Sequence, residues 1–377
     1  MPLSLQEEQA RCKTAEAWLR GAYARPLDAA PHADARVRRP IVMRTSAHPA
    51  ADSWVVASIF EPAFAVLRSM SAHRLDIAAS WGESAHPARD GFEALADGRT
   101  DFAPCYTSWE PDGFPLSQLL ALPALFPSPE VATAASEQLY EPFLRQEFER
   151  PGVILGRLKA TGPYHYFARR PIERLADLRG LRIATNAGID SRIATALGAT
   201  PVVLRSVDLL PAFLADQVDA VSLADGSAQV FGIGCHAAVR LEIGVSMMNL
   251  EFGLARRFHD KLPDELRVVL NDWLRAQSQA EAQYFYGVGG AIARDGFAAA
   301  GCRFISLDAE DAAQLDARMC GLSDDIAREL DAQGLPASAF ARAAKQVAAQ
   351  LAGRSANALM QDAIERPQWL LPGSRPI

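Results

Sequence analysis

Apolar and polar residues alternate along the first third of the chain in a pattern that predicts strands and helices in turn. Apolar runs at residues 41–43, 75–79 and 102–103 have the length and alternation of short strands. Between them, apolar side chains at helical spacing predict a helix that starts near Ser53 and a shorter one that Gly98 ends. This order of elements predicts a parallel sheet with right-handed crossovers.

A second series with the same order begins near residue 181 and indicates a second α/β unit. Strands are predicted at 181–184, 201–204 and 218–223, with helices at 189–197 and 207–216 between them. Further along, Pro263 begins a predicted long helix that runs to about Phe285, and a last strand falls at 302–305. Residues 308–352 are predicted to form two helices that separate near Gly334. Two such units predict two lobes with a cleft between them.

Residues 1–23 have the pattern of an amphipathic helix and not of a secretory signal, which needs a basic start and an apolar core. Trp18 and Leu19 are too apolar to be left free, so we expect this helix to pack on the body and to escape cleavage. No apolar run reaches the roughly 18 residues of a membrane helix, which predicts no membrane insertion. As written, the chain is expected to be cytoplasmic, and it would be periplasmic if the true start lies upstream.

Composition narrows the class of protein. The 377 residues are 49% hydrophobic and 22% charged, as in soluble globular proteins. The net charge of −7 argues against a nucleic-acid partner, which needs a basic surface. The five cysteines form no CxxC pair, and the sequence has no nucleophile elbow, phosphate-binding loop or zinc-hydrolase motif. We therefore expect no metal and no cofactor.

A series of short motifs follows in a fixed order through the middle of the chain. They are Phe92–Leu95 with Gly98 and Asp101, Phe114–Leu116, Leu122–Phe126, Pro171–Ile172, Leu175–Ile183, Leu197–Val202, Val218–Ala220 and Leu262–Pro263. The series resembles the solute-binding proteins of tripartite ATP-independent periplasmic (TRAP) transporters, dicarboxylate-binding type. The resemblance covers roughly residues 39–335.

The resemblance implies an α/β, two-lobe, periplasmic-binding-protein-like fold that closes on a small organic molecule, with a long connecting helix. It also implies TRAP membrane permease subunits as partners. The expected division is an N-terminal helical extension at 1–38, lobe I at 39–161 plus about 248–289, lobe II at 162–247 plus about 290–335, and a C-terminal helix with an irregular tail at 336–377.

The chain departs from the family pattern where a ligand carboxylate is normally held. Members of the family usually place an arginine at the position of Ala184, and often a second one near Tyr164. An asparagine common in the family falls near Leu223 and Ala224. Without the bidentate guanidinium, we expect a ligand that is less acidic and more aromatic or apolar than a C4-dicarboxylate.

Candidate ligand-binding residues follow strand ends or lie on the segments that cross between the lobes. They are Trp81, Glu83, Tyr106, Trp109, Tyr164, His165, Tyr166, Asn186, Asp225 and Asn249. Side chains alternate along a strand, so Tyr164 and Tyr166 are predicted to face the cleft while His165 faces the lobe interior. A slip of one residue would reverse that assignment.

The alternative hypothesis is a cytoplasmic enzyme or ligand sensor on a recruited binding-protein fold. A closed cleft with a histidine and carboxylates could carry out proton transfer, as in a lyase, isomerase or cyclase. The candidate groups for such chemistry are His165, Glu83 and Asp225.

Overall fold

The computed structural model describes residues 2–27, 39–149 and 152–374, and the strands in these residues form two separate sheets. The strands are β1 Ile41–Ser46, β2 Leu75–Ser80, β3 Phe102–Pro104, β4 Val153–Arg157, β5 His165–Ala168, β6 Arg182–Thr185, β7 Thr200–Val203, β8 Ala220–Leu223, β9 Val239–Glu242, β10 Phe252–Ala255 and β11 Arg303–Ser306. The predicted pair of α/β units is thus present.

Each sheet is mostly parallel and contains one antiparallel strand. The sheet of lobe I has the order β2-β1-β3-β10-β4, and β10 runs antiparallel to both of its neighbours. The sheet of lobe II has the order β11-β9-β5-β8-β6-β7, with β5 antiparallel to β8 and β9. Strands of opposite direction enter each sheet because the chain passes between the lobes more than once.

Helices cover the faces of both sheets and form the two ends of the chain. They are α1 Leu5–Arg11, α2 Lys13–Leu19, α3 Glu61–Met70, α4 Gly91–Asp97, α5 Pro115–Gln118, α6 Pro129–Leu139, α7 Arg145–Phe148, α8 Ile189–Ala196, α9 Leu209–Leu214, α10 Asp225–Val230, α11 Arg256–His259, α12 Asp264–Gln283, α13 Gly290–Ala299, α14 Ala309–Ala332, α15 Ala337–Leu351 and α16 Ala356–Glu365. None of the helices described is both long and apolar enough to cross a bilayer.

Two extended segments, residues 158–164 and 243–251, connect the lobes side by side. They are hydrogen bonded to each other: the amide of Thr161 donates to the carbonyl of Met248 at 2.8 Å, and that of Tyr164 donates to Ser246 at 2.9 Å. We call them the crossing segments. Their pairing sets the position of the residues that lie between the two sheets.

The long helix provides a third connection. α12 packs on lobe I and buries Trp273, whose indole N–H donates to the carbonyl of Ala63 at 2.7 Å. A π-helical segment at 284–289 then joins α12 to α13, which packs on α10 of lobe II. Such wide turns are rare and are often found at functional sites.

The N-terminal residues form two short helices that pack on the body. Ser4 caps α1, and its hydroxyl accepts a hydrogen bond from the amide of Glu7 at 3.3 Å. In α2, Trp18 is only 1% exposed and lies where the helix packs against α3, α12 and α16. The predicted packing of Trp18 and Leu19 on the body is present.

Several elements were not predicted from the sequence, namely α5, α10, α11, α13, α16, β9 and β10. The irregular tail begins at Arg366 as predicted, but its described part does not lie wholly on the surface. Leu370 and Leu371 are buried, and their amides donate to Asn271 Oδ1 on α12 at 3.2 and 3.3 Å. Pro376 falls outside the described residues.

Candidate ligand-binding cleft

A cleft lies between the two lobes and has about 920 Å³ of open space, part of which is continuous with solvent. Its walls come from the residues that follow β1 and β3, the ends of β6 and β8, both crossing segments and the end of α12. Ligands of α/β proteins typically bind at the carboxyl ends of parallel strands. The cleft is therefore the candidate site.

Aromatic rings cover much of the lobe I side of this cleft. The ring centroid of Tyr106 lies 4.6 Å from that of Trp109 and 6.1 Å from that of Phe252. His48, which follows β1, meets the edge of Tyr106 at 5.7 Å, and Phe285 contributes from the end of α12. Rings in these arrangements support one another and present flat apolar surface. The wall is suited to a ring-bearing ligand.

The loop that carries Tyr106 and Trp109 is hydrogen bonded to a buried carboxyl group. Glu251, which is fully buried, accepts hydrogen bonds from the amide and the hydroxyl of Thr107, both at 3.1 Å. Burial raises the pKa of Glu251 to about 8, although the bonds from Thr107 oppose that shift. Tyr106 and Trp109, on either side of Thr107, are thereby fixed relative to the sheet.

Three charged side chains share one buried site at the base of the cleft. Arg157 Nη1 and Lys159 Nζ both donate to the carboxylate of Glu281 on α12. The guanidinium of Arg157 also lies over the ring of Phe252, 4.3 Å from its centroid. Since two cations face one anion, the group has a net charge of +1. Of the two cations, Lys159 lines the cleft and Arg157 does not.

Burial shifts the ionisation of this group. It lowers the pKa of Lys159 to about 8, and the nearby charge of Glu281 prevents a larger fall. For Glu281, burial alone would raise the pKa, but the charges of Arg157 and Lys159 hold it below its ordinary value. Lys159 is therefore mostly an ammonium at neutral pH, and Glu281 is a carboxylate.

The lobe II wall is uncharged and presents hydrogen-bonding groups. Asn186 Nδ2 donates to the hydroxyl of Tyr164 at 3.3 Å. Asp190 lies behind this wall, where its carboxyl group accepts from the hydroxyl of Ser222 and the amide of Asn186, each at 2.8 Å. Burial raises the pKa of Asp190 to about 7 despite these bonds. Ala184 also lines this wall, at the position where the resemblance implies an arginine.

His48 lies just after the end of β1 and presents an uncharged ring to the cleft. Its Nδ1 is shielded from solvent and has no hydrogen-bond partner among the described residues. Burial, together with the charge of Lys159, lowers the pKa of His48 to about 4. The imidazole is therefore uncharged at neutral pH and can donate or accept a hydrogen bond with a ligand.

Four of the ten predicted ligand-binding residues, namely Tyr106, Trp109, Tyr164 and Asn186, line the cleft. Trp81 does not line it: its ring packs on Phe64 with centroids 6.0 Å apart. Glu83 is also outside, and its carboxylate accepts from the amide of Ala88 at 3.1 Å.

The other four predicted residues lie elsewhere. Tyr166 and Asn249 are buried and line no described cavity, and Asn249 accepts from the hydroxyl of Ser136 at 3.2 Å. His165 and Asp225 line a separate cavity on the far side of β5. Hence the three groups considered for proton transfer, His165, Glu83 and Asp225, do not meet in the cleft.

The residues missed from the sequence are mainly His48, Lys159, Glu281 and Tyr286. A signal existed for one of them. Arg157 and Lys159 interrupt an apolar stretch at alternate positions, which places both on the same face of an extended strand. Charged residues in that setting are rarely buried without a partner. Glu281, in contrast, lies on a distant helix, and no local pattern associates it with them.

Comparison with known proteins identifies the family. Residues 48–329 match the model of the DctP family, the bacterial extracellular solute-binding proteins of family 7. The chain belongs to this family. The resemblance to TRAP solute-binding proteins, the two-lobe fold and the assignment as a solute-binding protein are thereby confirmed. Among proteins with a curated function, none matches this sequence.

Solved structures of TRAP solute-binding proteins share the fold at low sequence identity. One from Rhodoferax ferrireducens, in complex with copurified benzoate, has 15% identity and a TM-score of 0.77 over 83% of this chain and 98% of its own. One from a marine metagenome, specific for aromatic acids and bound to 3-hydroxybenzoate, has 17% identity and a TM-score of 0.76 over 83% and 99%. A third, from Bordetella bronchiseptica with bound mandelate, has 20% identity and a TM-score of 0.69 over 83% and 100%.

Proposed function

We propose that this solute-binding protein captures an aromatic monocarboxylate, with the carboxylate on Lys159 and the ring against Tyr106 and Trp109. The observation that carries the proposal is the position of Lys159. It is the one lysine or arginine among the described residues lining the cleft, and it lies beside an aromatic wall. The usual arginine position of lobe II is filled by Ala184, which removes the alternative partner for a carboxylate.

Charge balance favours a monoanion over a dianion. The group of Arg157, Lys159 and Glu281 carries one net positive charge, which a single carboxylate neutralises. A C4-dicarboxylate would leave a second negative charge in the cleft without a cationic partner among the described lining residues. An unpaired buried charge is costly, so succinate and malate should bind weakly or not at all.

The ligands of three structural relatives support the same ligand class. The proteins from Rhodoferax, the marine metagenome and Bordetella bind benzoate, 3-hydroxybenzoate and mandelate, each of which has one ring and one carboxylate. In this chain Tyr164 and Asn186 offer neutral hydrogen bonds on the opposite wall. They would suit a hydroxyl group of the ligand.

Isothermal titration calorimetry with benzoate, mandelate and succinate tests the proposal. We expect benzoate or mandelate to bind and succinate to bind at least tenfold more weakly. Lys159→Gln should weaken aromatic-acid binding by about tenfold to a hundredfold, the value of a charge-assisted hydrogen bond. Lys261→Gln, at an exposed lysine away from the cleft, is the matched control. Micromolar binding of succinate would contradict the proposal.

The membrane partner and the retention of the N-terminal segment belong to the same proposal. We infer that the loaded protein delivers its ligand to a TRAP membrane permease, because the family consists of solute-binding components. We also infer that the working protein keeps residues 2–19, since Trp18 and Cys12 are buried against the body. Intact-mass measurement on protein from separated periplasm and cytoplasm tests both the location and the retained segment. Loss of residues 2–19 in the periplasmic pool would contradict the inference.

A further inference from the structure

A second cavity lies behind the cleft, on the other side of β5. It has about 1320 Å³ of open space, part of which is continuous with solvent. Tyr164 faces the cleft, whereas the adjacent His165 lines this second cavity. Its remaining walls come from the crossing segments, residues 126–129 of lobe I, Tyr286, lobe II and the N-terminal segment, which contributes Leu3 and the ion pair of Glu8 with Arg11. The N-terminal segment lies outside the family match at residues 48–329.

The wall on the lobe II side is an ionic cluster built into the sheet. Arg240, which is 2% exposed, donates to both oxygens of Asp225 at 2.6 and 2.9 Å and to Glu242 at 2.8 Å. Arg294 on α13 donates to Asp225 at 3.2 Å and to the carbonyl of Leu3 at 2.7 Å. These hydrogen bonds hold the charged groups of the cluster in fixed positions.

Hydrogen-bond acceptors in this cluster are used up, while donors are left over. Both oxygens of Asp225 accept from guanidinium groups, and both oxygens of Glu242 accept from Arg240 and Ser306. Arg294 uses Nη1 and Nη2, and its Nε has no partner in the part of the chain that the structure describes. A guanidinium has five N–H donors, so Arg240 and Arg294 can each donate further bonds.

His165 adds an unpartnered polar group to the same wall. The residue is only 7% exposed, and its Nδ1 has no hydrogen-bond partner among the described residues. The charged groups that act on its imidazole are those of Arg240, Asp225, Glu242 and Arg294. Buried polar atoms without partners are rare in proteins, and this one belongs to a side chain that lines the cavity, which indicates a missing hydrogen-bond partner there.

We propose that this rear cavity is a second ligand site and that it binds a small oxyanion, with Arg294 and His165 as its hydrogen-bond donors. An oxyanion supplies acceptors only, which is what the cluster lacks. A carboxylate and inorganic phosphate share this chemistry. The site is distinct from the cleft, because His165 lines the rear cavity and Tyr164 lines the cleft, although Tyr286 lines both.

The imidazole of His165 provides a direct readout that the cleft does not share. Its 15N signals are assigned by comparison with His165→Gln, and the full-length protein is titrated separately with sodium phosphate, sodium acetate and sodium chloride. We expect a saturating shift below about 10 mM, which corresponds to a binding free energy of roughly −3 kcal/mol. Saturation with both anions indicates a general oxyanion site, and saturation with only phosphate or only acetate identifies the source.

A variant pair separates the site from general ionic effects. Arg294→Gln removes a donor of the cluster while Arg240 still neutralises Asp225, and it should weaken the anion at least tenfold. Arg192→Gln, on α8 in an exposed ion pair with Glu329 of α14, should leave the titration unchanged. Two results would overturn the proposal. One is that neither phosphate nor acetate produces a saturating shift of the His165 signals. The other is that sodium chloride at the same ionic strength produces an equal shift.

Discussion

Single side chains determine the charge of the cleft. Glu281 accepts from both Arg157 and Lys159, and all three are buried at its base. Burial of ions is expensive, and the penalty is offset here because each charge has an opposite charge in contact. The residual positive charge stays on the side where Lys159 reaches the open space. A ligand carboxylate completes this arrangement.

The ionisation of Lys159 makes ligand binding sensitive to pH. Its pKa is lowered to about 8, and a bound carboxylate would raise it, so affinity should fall as the pH rises from 7 through 8. We expect benzoate to bind about tenfold more weakly at pH 9 than at pH 7. Titration calorimetry across this range measures the effect. Lys159→Gln should lose this tenfold difference, and a wild-type profile without it would exclude Lys159 as the carboxylate partner.

The neighbours Tyr164 and His165 face opposite cavities, so their substitution should have separable effects. Tyr164→Ala removes a cleft wall and the partner of Asn186, and we expect ligand affinity to fall at least tenfold. His165→Ala leaves the cleft intact and should lower the melting temperature while changing affinity less than twofold. Calorimetry and thermal denaturation on both variants measure these effects. If His165→Ala abolished binding at an unchanged melting temperature, the assignment of the two faces would be wrong.

At the level of elements, the N-terminal helices belong to the folded body. The amide of Thr14 donates to Asn357 Oδ1 on α16 at 2.9 Å, and the thiol of Cys12 donates to the carbonyl of Gln283 on α12 at 3.3 Å. Arg11 forms ion pairs with Glu8 of its own helix and Glu130 of α6. These contacts join the start of the chain to lobe I, the long helix and the C-terminal helices.

Trp18 should therefore be a major source of stability. Its side chain is 1% exposed, and truncation of a buried tryptophan typically costs about 3–5 kcal/mol. We expect Trp18→Ala to lower the free energy of unfolding by that amount in urea denaturation. Lys13→Ala, at an exposed position of the same helix, should change it by less than about 0.5 kcal/mol. Similar values for the two variants would show that α2 does not pack on the body in solution.

Sequence patterns identified most elements because local periodicity and end signals were strong. Gly98, which adopts φ = +97°, ends α4 where it was expected, and the break near Gly334 separates α14 from α15. β9 and β10 were missed because each is only four residues long, and β10 is also buried throughout. A short buried strand has no alternating pattern to distinguish it from other apolar segments.

The candidate site was less accessible from the sequence than the fold. Tyr106 and Trp109 follow a strand end, which is a local signal, and both line the cleft. Glu281 reaches the cleft only through tertiary packing, since it lies on α12, whereas His48 follows the end of β1 and was not singled out. Glu83 and Trp81 also follow a strand end, yet local hydrogen bonds and ring packing hold them outside. The expectation that binding residues follow strand ends identifies an edge of the sheet, but it does not identify which side chains face the cleft.

For the molecule as a whole, the cleft has two unlike walls on separate sheets. The cationic and aromatic wall is on the lobe I side, and the neutral wall with Tyr164 and Asn186 is on the lobe II side. The lobes are joined by the two crossing segments and the helix that runs from α12 into α13. A ligand that contacts both walls would stabilise whichever arrangement brings them together, because only differential binding shifts a conformational equilibrium.

Ligand binding should therefore make the protein more compact in solution. We expect saturating benzoate to decrease the radius of gyration measured by small-angle X-ray scattering, as in other hinged binding proteins. Succinate at the same concentration should leave it unchanged, because its second carboxylate would have no cationic partner among the described lining residues. Lys159→Gln with benzoate is the second control, since the ring alone should not hold the lobes together. If benzoate binds by calorimetry while the scattering of the wild-type protein stays the same, the ligand occupies one wall only. In that case Tyr164→Ala should leave the affinity for benzoate unaffected.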